Sequence, residues 1–196
     1  MSKNVEFFFD FGSPTSYLAW TQLPGIAAAA NAQIIWRPML LGGVFKASGN
    51  QSPVSIPAKG RYMLQDLARF ANRYDVPLAF NRHFPINTLH LMRGAVGYLD
   101  SADFQPYVKA VFEAIWVQQK NLGNADVVAE VLRGAGLNPV EFEQLISDEA
   151  VKQRLKDNTE EAIRRGVFGA PTFFVDDDEM FFGQDRLDFV GEALAR

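Results

Sequence analysis

The chain opens with a run of apolar residues that leads into a turn and a helix. Residues 4–10 read Asn-Val-Glu-Phe-Phe-Phe-Asp and predict a strand in the centre of a sheet. Pro14 falls in the first turn of the following helix, where its missing N–H costs nothing, and the pattern extends that helix to about Ala30. Residues 32–38 predict a second strand, which closes a right-handed βαβ unit. The glycine- and proline-rich stretch over residues 42–57 is expected to be a long loop, and loops of that length often carry function.

Helical periodicity dominates residues 59–165, where apolar positions recur three and four residues apart and predict six helices. A strand over 171–175, an acidic turn at 176–178, a strand over 179–182 and a final helix from about Arg186 follow. The order β-α-β, helical segment, β-β-α predicts an α/β protein with a thioredoxin-like fold interrupted by an all-α insertion lobe. We therefore predict one domain formed by residues 1–58 and 166–196, and a helical insertion domain formed by residues 59–165.

Composition narrows the classes of function. The 196 residues, of which 48% are hydrophobic, suit one compact domain with a large insertion. A net charge of −4 without a basic run argues against a nucleic-acid partner. No stretch approaches the roughly 20 apolar residues that span a bilayer, so no membrane partner is expected. The absence of cysteine excludes disulfides, and together with an N-terminus that lacks signal-peptide features it predicts a cytoplasmic location.

Two short motifs point to a site that handles thiols. The first strand runs into Ser13-Pro14-Thr15-Ser16 at the start of a helix, and Ala170-Pro171 heads a late strand. This is the outline of a thioredoxin-type site whose two redox cysteines are replaced by serine. A chain without cysteine cannot exchange disulfides, but it could hold a thiol that a ligand brings. From position alone, Ser13 could equally be an ordinary N-cap residue.

Four longer segments resemble the 2-hydroxychromene-2-carboxylate isomerases and the related kappa-class glutathione transferases. They are residues 10–19, residues 49–53 with 57–59, residues 166–173 and residues 182–187. The resemblance implies glutathione as cofactor, a small aromatic substrate and a homodimer. It implies an isomerase that interconverts 2-hydroxychromene-2-carboxylate and trans-o-hydroxybenzylidenepyruvate in naphthalene-type catabolism. A kappa-class transferase and a non-catalytic glutathione-binding relic of a disulfide oxidoreductase stay open as alternatives.

The resemblance also implies roles for individual residues. Ser13 is the catalytic candidate, because its hydroxyl and the amides of the following helix can stabilise the thiolate of glutathione. Ala170-Pro171 resembles a cis dipeptide that pairs with the cysteinyl backbone, and Gln184-Asp185 matches the position that binds the γ-glutamyl end. Lys59 matches a contact to the glycyl carboxylate. The implied glutathione-binding set is Asn50, Lys59, Ala170, Pro171, Gln184 and Asp185.

The substrate pocket is harder to predict than the glutathione site. The candidates are Trp36, Phe84, Asn87, Trp116 and Arg186, although core packing would also explain the aromatic residues and Arg186 could instead orient Asp185.

Other residues near the motifs receive structural interpretations. Asp10 is expected to brace the turn rather than act as a base, and Ser16 to be structural. His83 and His90 lack metal-ligand partners at useful spacing, so no metal site is expected. Gly12 and Thr15 depart from the resembling family, which carries leucine and an aromatic residue there, and this leaves the natural substrate open.

Overall fold

A four-stranded sheet forms the centre of the part of the chain that the computed structural model describes, residues 3–176 and 178–196. Its strands are β1 (Asn4–Phe9), β2 (Gln33–Pro38), β3 (Thr172–Val175) and β4 (Glu179–Phe182), in the spatial order β2-β1-β3-β4. β1 pairs in parallel with β2 and antiparallel with β3, which pairs antiparallel with β4. The acidic turn predicted at 176–178 includes Asp177, which lies outside the described residues.

Nine helices surround the sheet within these described ranges. They are α1 (Pro14–Ala29), α2 (Leu41–Ser48), α3 (Pro57–Tyr74), α4 (Leu89–Tyr98), α5 (Phe104–Trp116), α6 (Ala125–Gly134), α7 (Pro139–Ser147), α8 (Glu149–Arg164) and α9 (Leu187–Ala195). α1 connects β1 to β2, the helices α3 to α8 are inserted before β3, and α9 follows β4. This order confirms the predicted thioredoxin-like α/β fold with a helical insertion. None of the described helices combines the length and apolarity needed to cross a membrane.

The segment 42–57 is not the continuous loop that the sequence predicts. α2 occupies its first half, and a short 3-10 helix follows at Pro53–Ser55. α2 ends at Gly49, whose φ of 71° lies in the left-handed region that glycine adopts without steric cost. Two glycines in the first turn weaken the local helix propensity. Burial of Val44 in a cluster with Ala162 of α8 outweighs this preference and stabilises the helix.

Aromatic side chains fill the core on both faces of β1. Phe7 and Phe9 are fully buried on one face, and Phe8 packs against Phe174 on the other. The ring of Phe112 in α5 lies 5.9 Å from the ring centroid of Phe9 and 4.8 Å from that of Phe11. The helical insertion therefore shares a hydrophobic core with the sheet, and the division into two domains stays a prediction.

Candidate active site

Ser13 lies at the N-cap of α1, directly after the end of the central strand. Its backbone is extended, and its Oγ accepts a hydrogen bond from the Ser16 N–H at 3.0 Å. The residue is only 4% exposed, yet it lines a cleft. The N-terminus of a 16-residue helix carries partial positive charge from its free amides. A hydroxyl and a helix N-terminus thus meet at a place suited to an anion.

The dipeptide Ala170-Pro171 has the cis conformation and reaches the same place from the far end of the chain. The Ala170 carbonyl oxygen lies 3.0 Å from Ser13 Oγ and 3.0 Å from Thr15 Oγ1. The two hydroxyl oxygens are 2.8 Å apart. The cis bond expected at this dipeptide is confirmed. A second cis bond, Phe84-Pro85, is one that the sequence analysis did not predict.

Asp10 holds the loop around Ser13 in place. Its Oδ1 accepts from the Gly12 N–H at 2.8 Å and from the Thr88 hydroxyl at 2.7 Å, and its Oδ2 accepts from the Leu41 N–H at 2.9 Å. Burial raises the pKa of Asp10 above its ordinary value of 3.8, while these three hydrogen bonds act in the opposite direction. Because both carboxylate oxygens accept hydrogen bonds from the protein itself, Asp10 stabilises this turn, as the sequence suggests.

A cleft of about 740 Å³ opens in front of Ser13. This volume lies within the range of roughly 300–1,000 Å³ that is typical of small-molecule sites. Its walls come from the starts of α1 and α2, from α3, from Phe84, Pro85, Ile86 and Thr88, and from the segments before β3 and after β4. The predicted site residues found in its lining are Ser13, Asn50, Lys59, Phe84, Ala170, Gln184 and Asp185.

Three of the predicted glutathione-binding residues form hydrogen bonds or ion pairs with other residues of the protein. Asn50 Nδ2 donates to the Phe168 carbonyl at 2.8 Å, which joins the segment after α2 to the segment before the cis dipeptide. Gln184 is buried, and its backbone carbonyl accepts from the Tyr74 hydroxyl at 3.0 Å. Burial raises the pKa of Tyr74 to about 12, so this hydroxyl keeps its proton at neutral pH. Asp185 precedes α9 and forms an ion pair with Arg186.

The two tryptophans proposed as substrate contacts lie in the core rather than in the cleft. Trp36 packs edge-on against Phe7 and Phe104, with ring centroids 5.6 Å and 5.5 Å apart. Trp116 is fully buried, and its indole N–H donates to the Phe11 carbonyl at 2.8 Å. Packing therefore accounts for both side chains, as it does for most large aromatic residues.

The two polar candidates for substrate contact also lie outside the lining of the cleft. Asn87 is exposed, its Oδ1 accepts from the Leu89 N–H at 3.0 Å, and it borders a separate cavity between α4, α6 and α7. The side chain of Arg186 turns to Asp185. Asn87 therefore lies beside the start of α4 rather than in the cleft. The ion pair favours the alternative in which Arg186 orients Asp185.

Two threonines belong to the site although the sequence analysis assigned them no role there. Thr88, next to the predicted Asn87, is buried and donates to Asp10 from the wall of the cleft. Thr15 adds a second hydroxyl beside Ser13. Thr15 could have been predicted as a site residue, because its hydroxyl lies within the same Ser-Pro-Thr-Ser turn as Ser13. No local pattern in the sequence indicates a role for Thr88. Among residues 3–176 and 178–196, no group of three or more His, Cys, Asp or Glu side chains is placed to hold a metal ion.

The fold and the site together define a thioredoxin-type protein that carries serine at the redox positions. The model of the DSBA-like thioredoxin domain matches residues 4–195. The chain therefore belongs to the DSBA-like thioredoxin domain family.

Individual relatives refine this assignment. A 2-hydroxychromene-2-carboxylate isomerase of Sphingobium xenophagum is 32% identical over 99% of both chains. Glutathione S-transferase kappa 1 of Rattus norvegicus is 29% identical over 97% of this chain and 90% of its own length. A solved structure of a 2-hydroxychromene-2-carboxylate isomerase is 34% identical and aligns with a TM-score of 0.86 over 98% of this chain and 95% of that one. The resemblance derived from the four sequence segments is confirmed.

Proposed function

We propose that this protein is a glutathione-dependent isomerase that interconverts 2-hydroxychromene-2-carboxylate and trans-o-hydroxybenzylidenepyruvate in aromatic catabolism. One observation carries the proposal. The buried Ser13 hydroxyl lies at the N-terminus of α1, 3.0 Å from the carbonyl of the cis dipeptide, at the wall of a cleft of about 740 Å³. Relatives that match nearly the whole chain carry the isomerase name, which supports the choice of substrate.

The residues of the cleft fit the chemistry of glutathione. The tripeptide has two carboxylates, one ammonium group and one thiol. Lys59 offers a cation for the glycyl carboxylate, and Asp185 offers an anion for the ammonium group. The amides before α9 suit the γ-glutamyl carboxylate, and the Ala170 backbone suits the cysteinyl unit. Asn50 can shape this site through its bond to the Phe168 carbonyl.

Ser13 has the task of favouring the thiolate over the thiol. A free thiol has a pKa near 8.5, and a helix N-terminus with a hydroxyl donor lowers it to about 7 or below. A fall of one pKa unit raises the thiolate fraction about tenfold when the pKa lies above the ambient pH. When held by these residues, glutathione would supply the thiolate for a reversible addition and elimination, in which a substrate double bond becomes a single bond, rotates, and is restored as the thiolate leaves. Phe84 and the other apolar residues of the cleft hold the aromatic ring.

A kappa-class glutathione transferase acting on an unidentified electrophile is the second candidate, favoured by the match to the rat enzyme over nearly the full chain. Both candidates use the same activated thiol, and they differ in whether the thiol stays attached to the product. The homodimer and the cytoplasmic location remain predictions.

The first experiment measures the ultraviolet absorbance of the glutathione thiolate against pH in the wild type, Ser13→Ala and Ser16→Ala. Ser13→Ala should raise the pKa of the bound thiol by about one unit or more, because it removes a hydrogen bond to the anion. Ser16→Ala is the matched control and should leave this pKa unchanged. The buried Ser16 hydroxyl has no hydrogen-bond partner within the described part of the chain, and the variant keeps the backbone N–H that contacts Ser13.

The outcomes separate the candidate functions. An equal and unshifted thiol pKa in wild type and Ser13→Ala would contradict the proposal and favour the non-catalytic glutathione-binding relic. No binding of glutathione would contradict all three candidates. If the pKa shift is present, turnover of 2-hydroxychromene-2-carboxylate without a lasting adduct supports the isomerase. Stable adducts with other electrophiles, and no isomerisation, would instead identify a transferase.

A further inference from the structure

Three oxygen atoms form a close triangle at the start of α1. Ser13 Oγ and Thr15 Oγ1 are 2.8 Å apart, and each lies 3.0 Å from the carbonyl oxygen of Ala170. Ser13 Oγ also accepts the Ser16 N–H at 3.0 Å, which fixes the position of this oxygen. Both hydroxyls line the cleft.

The hydroxyls of Ser13 and Thr15 share one acceptor, the Ala170 carbonyl, and each has only one proton to donate. Each hydroxyl donates one proton, so Ser13 cannot donate to Ala170 and to a sulfur anion at the same time. The Ala170 carbonyl belongs to a residue that is 9% exposed, and a buried carbonyl that loses its donor is unfavourable. Ser13 can therefore turn to an anion at lower cost when a second donor of the protein holds this carbonyl, whose oxygen can accept two hydrogen bonds and so also pair with the cysteinyl unit. Thr15 Oγ1 is at hydrogen-bond distance to do so.

We propose that Thr15 is a positioning residue, whose hydroxyl holds the Ala170 carbonyl and thereby frees the Ser13 hydroxyl to donate to the thiolate of bound glutathione. This inference rests on the proposed function, and it deepens that function by assigning a second residue to thiol activation. Thr15 acts through Ser13, which is the group that contacts the sulfur.

Thr15→Val and Thr15→Ser test the proposal, each in the wild type and in Ser13→Ala. Valine keeps the branched shape of threonine and removes the hydroxyl, whereas serine keeps the hydroxyl. The measured quantity is the pKa of the bound glutathione thiol, from its absorbance against pH. Thr15→Val should raise this pKa by about 0.5–1 unit, the size expected for one hydrogen bond, and Thr15→Ser should keep the wild-type value. In the Ser13→Ala protein, Thr15→Val should change nothing further.

Any other result for the Thr15 variants contradicts one step of the proposed role of Thr15. A wild-type pKa in Thr15→Val would overturn the inference and leave the role of Ser13 intact. An equal rise in both backgrounds would also overturn it, since Thr15 would then act on the sulfur without Ser13. A rise in Thr15→Ser as large as that in Thr15→Val would show that the hydroxyl is not the cause.

Failure of the proposed function has a different signature. In that case Ser13→Ala alone leaves the thiol pKa unchanged, and the inference about Thr15 falls with it. Thermal melting of every variant checks the fold. Thr15→Ala, which fits any space that threonine fits, replaces Thr15→Val in the comparison should valine prevent folding.

Discussion

Asp10 shows how a single buried carboxyl shapes the site through its hydrogen bonds. Its two oxygens tie the turn before Ser13 to Thr88 and to the start of α2. Carboxylates that accept several hydrogen bonds are favoured as anions, but burial disfavours the charge. In Asp10 burial has the larger effect, so the pKa in the folded chain lies above 3.8.

This balance predicts how stability depends on pH. When the pH rises above about 4, the unfolded chain loses the Asp10 proton before the folded chain does. The contribution of Asp10 to the free energy of unfolding therefore falls as the pH rises from 3.8 towards the higher pKa of the folded state, and is constant beyond it. Denaturant titrations of wild type and Asp10→Asn across this range measure the effect, since asparagine does not titrate. The advantage of the wild type over the variant should shrink with rising pH, and parallel profiles would contradict the prediction.

The limits of sequence reasoning at the residue scale follow from distance along the chain. Ser13, Ala170 and Asp185 could be predicted because each lies in a short motif with its own chemical signature. The hydroxyl partner of Asp10 could not, because Thr88 is 78 positions away and its contact depends on how the chain just before α4 packs against the turn before Ser13. The sequence leaves Trp36 open between substrate contact and core packing, since a large aromatic residue in a strand gives no local sign of whether it faces a cleft or a core.

At the scale of elements, periodic segments were predicted well and packing-dependent segments were not. The six helices predicted over residues 59–165 correspond to α3 to α8, because their apolar spacing and cap residues are local features, such as Asn124 capping α6 and Asn138 capping α7. α2 was missed because its stability comes from burial of Val44 beside α8, which is more than 100 residues later in the chain.

The contact between α4 and its neighbours gives a prediction at this scale. A Cβ added to Gly94 would overlap the Tyr107 hydroxyl and the ring of Phe142. Gly94→Ala should therefore lower the free energy of unfolding by about 2 kcal/mol, because overpacking in a rigid core outweighs the better helix propensity of alanine. Gly25→Ala in α1 is the control, since nothing lies within 4 Å of its added Cβ, and it should be neutral or stabilising by up to about 1 kcal/mol. Equal denaturation midpoints for both variants would show that the close contacts at Gly94 do not destabilise Gly94→Ala.

At the scale of the whole molecule, one buried carboxylate connects the sheet to the end of the helical insertion. Glu6 in β1 is 1% exposed, and its two oxygens lie 2.6 Å from Arg37 Nε in β2 and 2.6 Å from Nη1 of Arg165, just after α8. The Arg165 guanidinium also stacks 3.7 Å from the ring centroid of Phe174 in β3. Glu6 thus joins elements from both ends of the chain on the face of the sheet that carries Phe8.

Glu6→Ala tests how much this arrangement contributes to global stability. The variant removes the carboxylate from between two arginines, one of which has a side chain that is only 14% exposed and keeps a more distant contact of 3.9 Å to Glu161. Removing one member of a buried ion pair costs about 3 kcal/mol, and Glu6→Ala removes a 2.6 Å contact from the largely buried guanidinium of Arg165. Glu179→Ala removes an exposed pair with Arg196 and should change the free energy of unfolding by less than about 0.5 kcal/mol. Denaturant unfolding of both variants measures the difference. A loss in Glu6→Ala as small as that in Glu179→Ala would contradict the prediction and mean that the buried carboxylate does not hold the sheet and the insertion together.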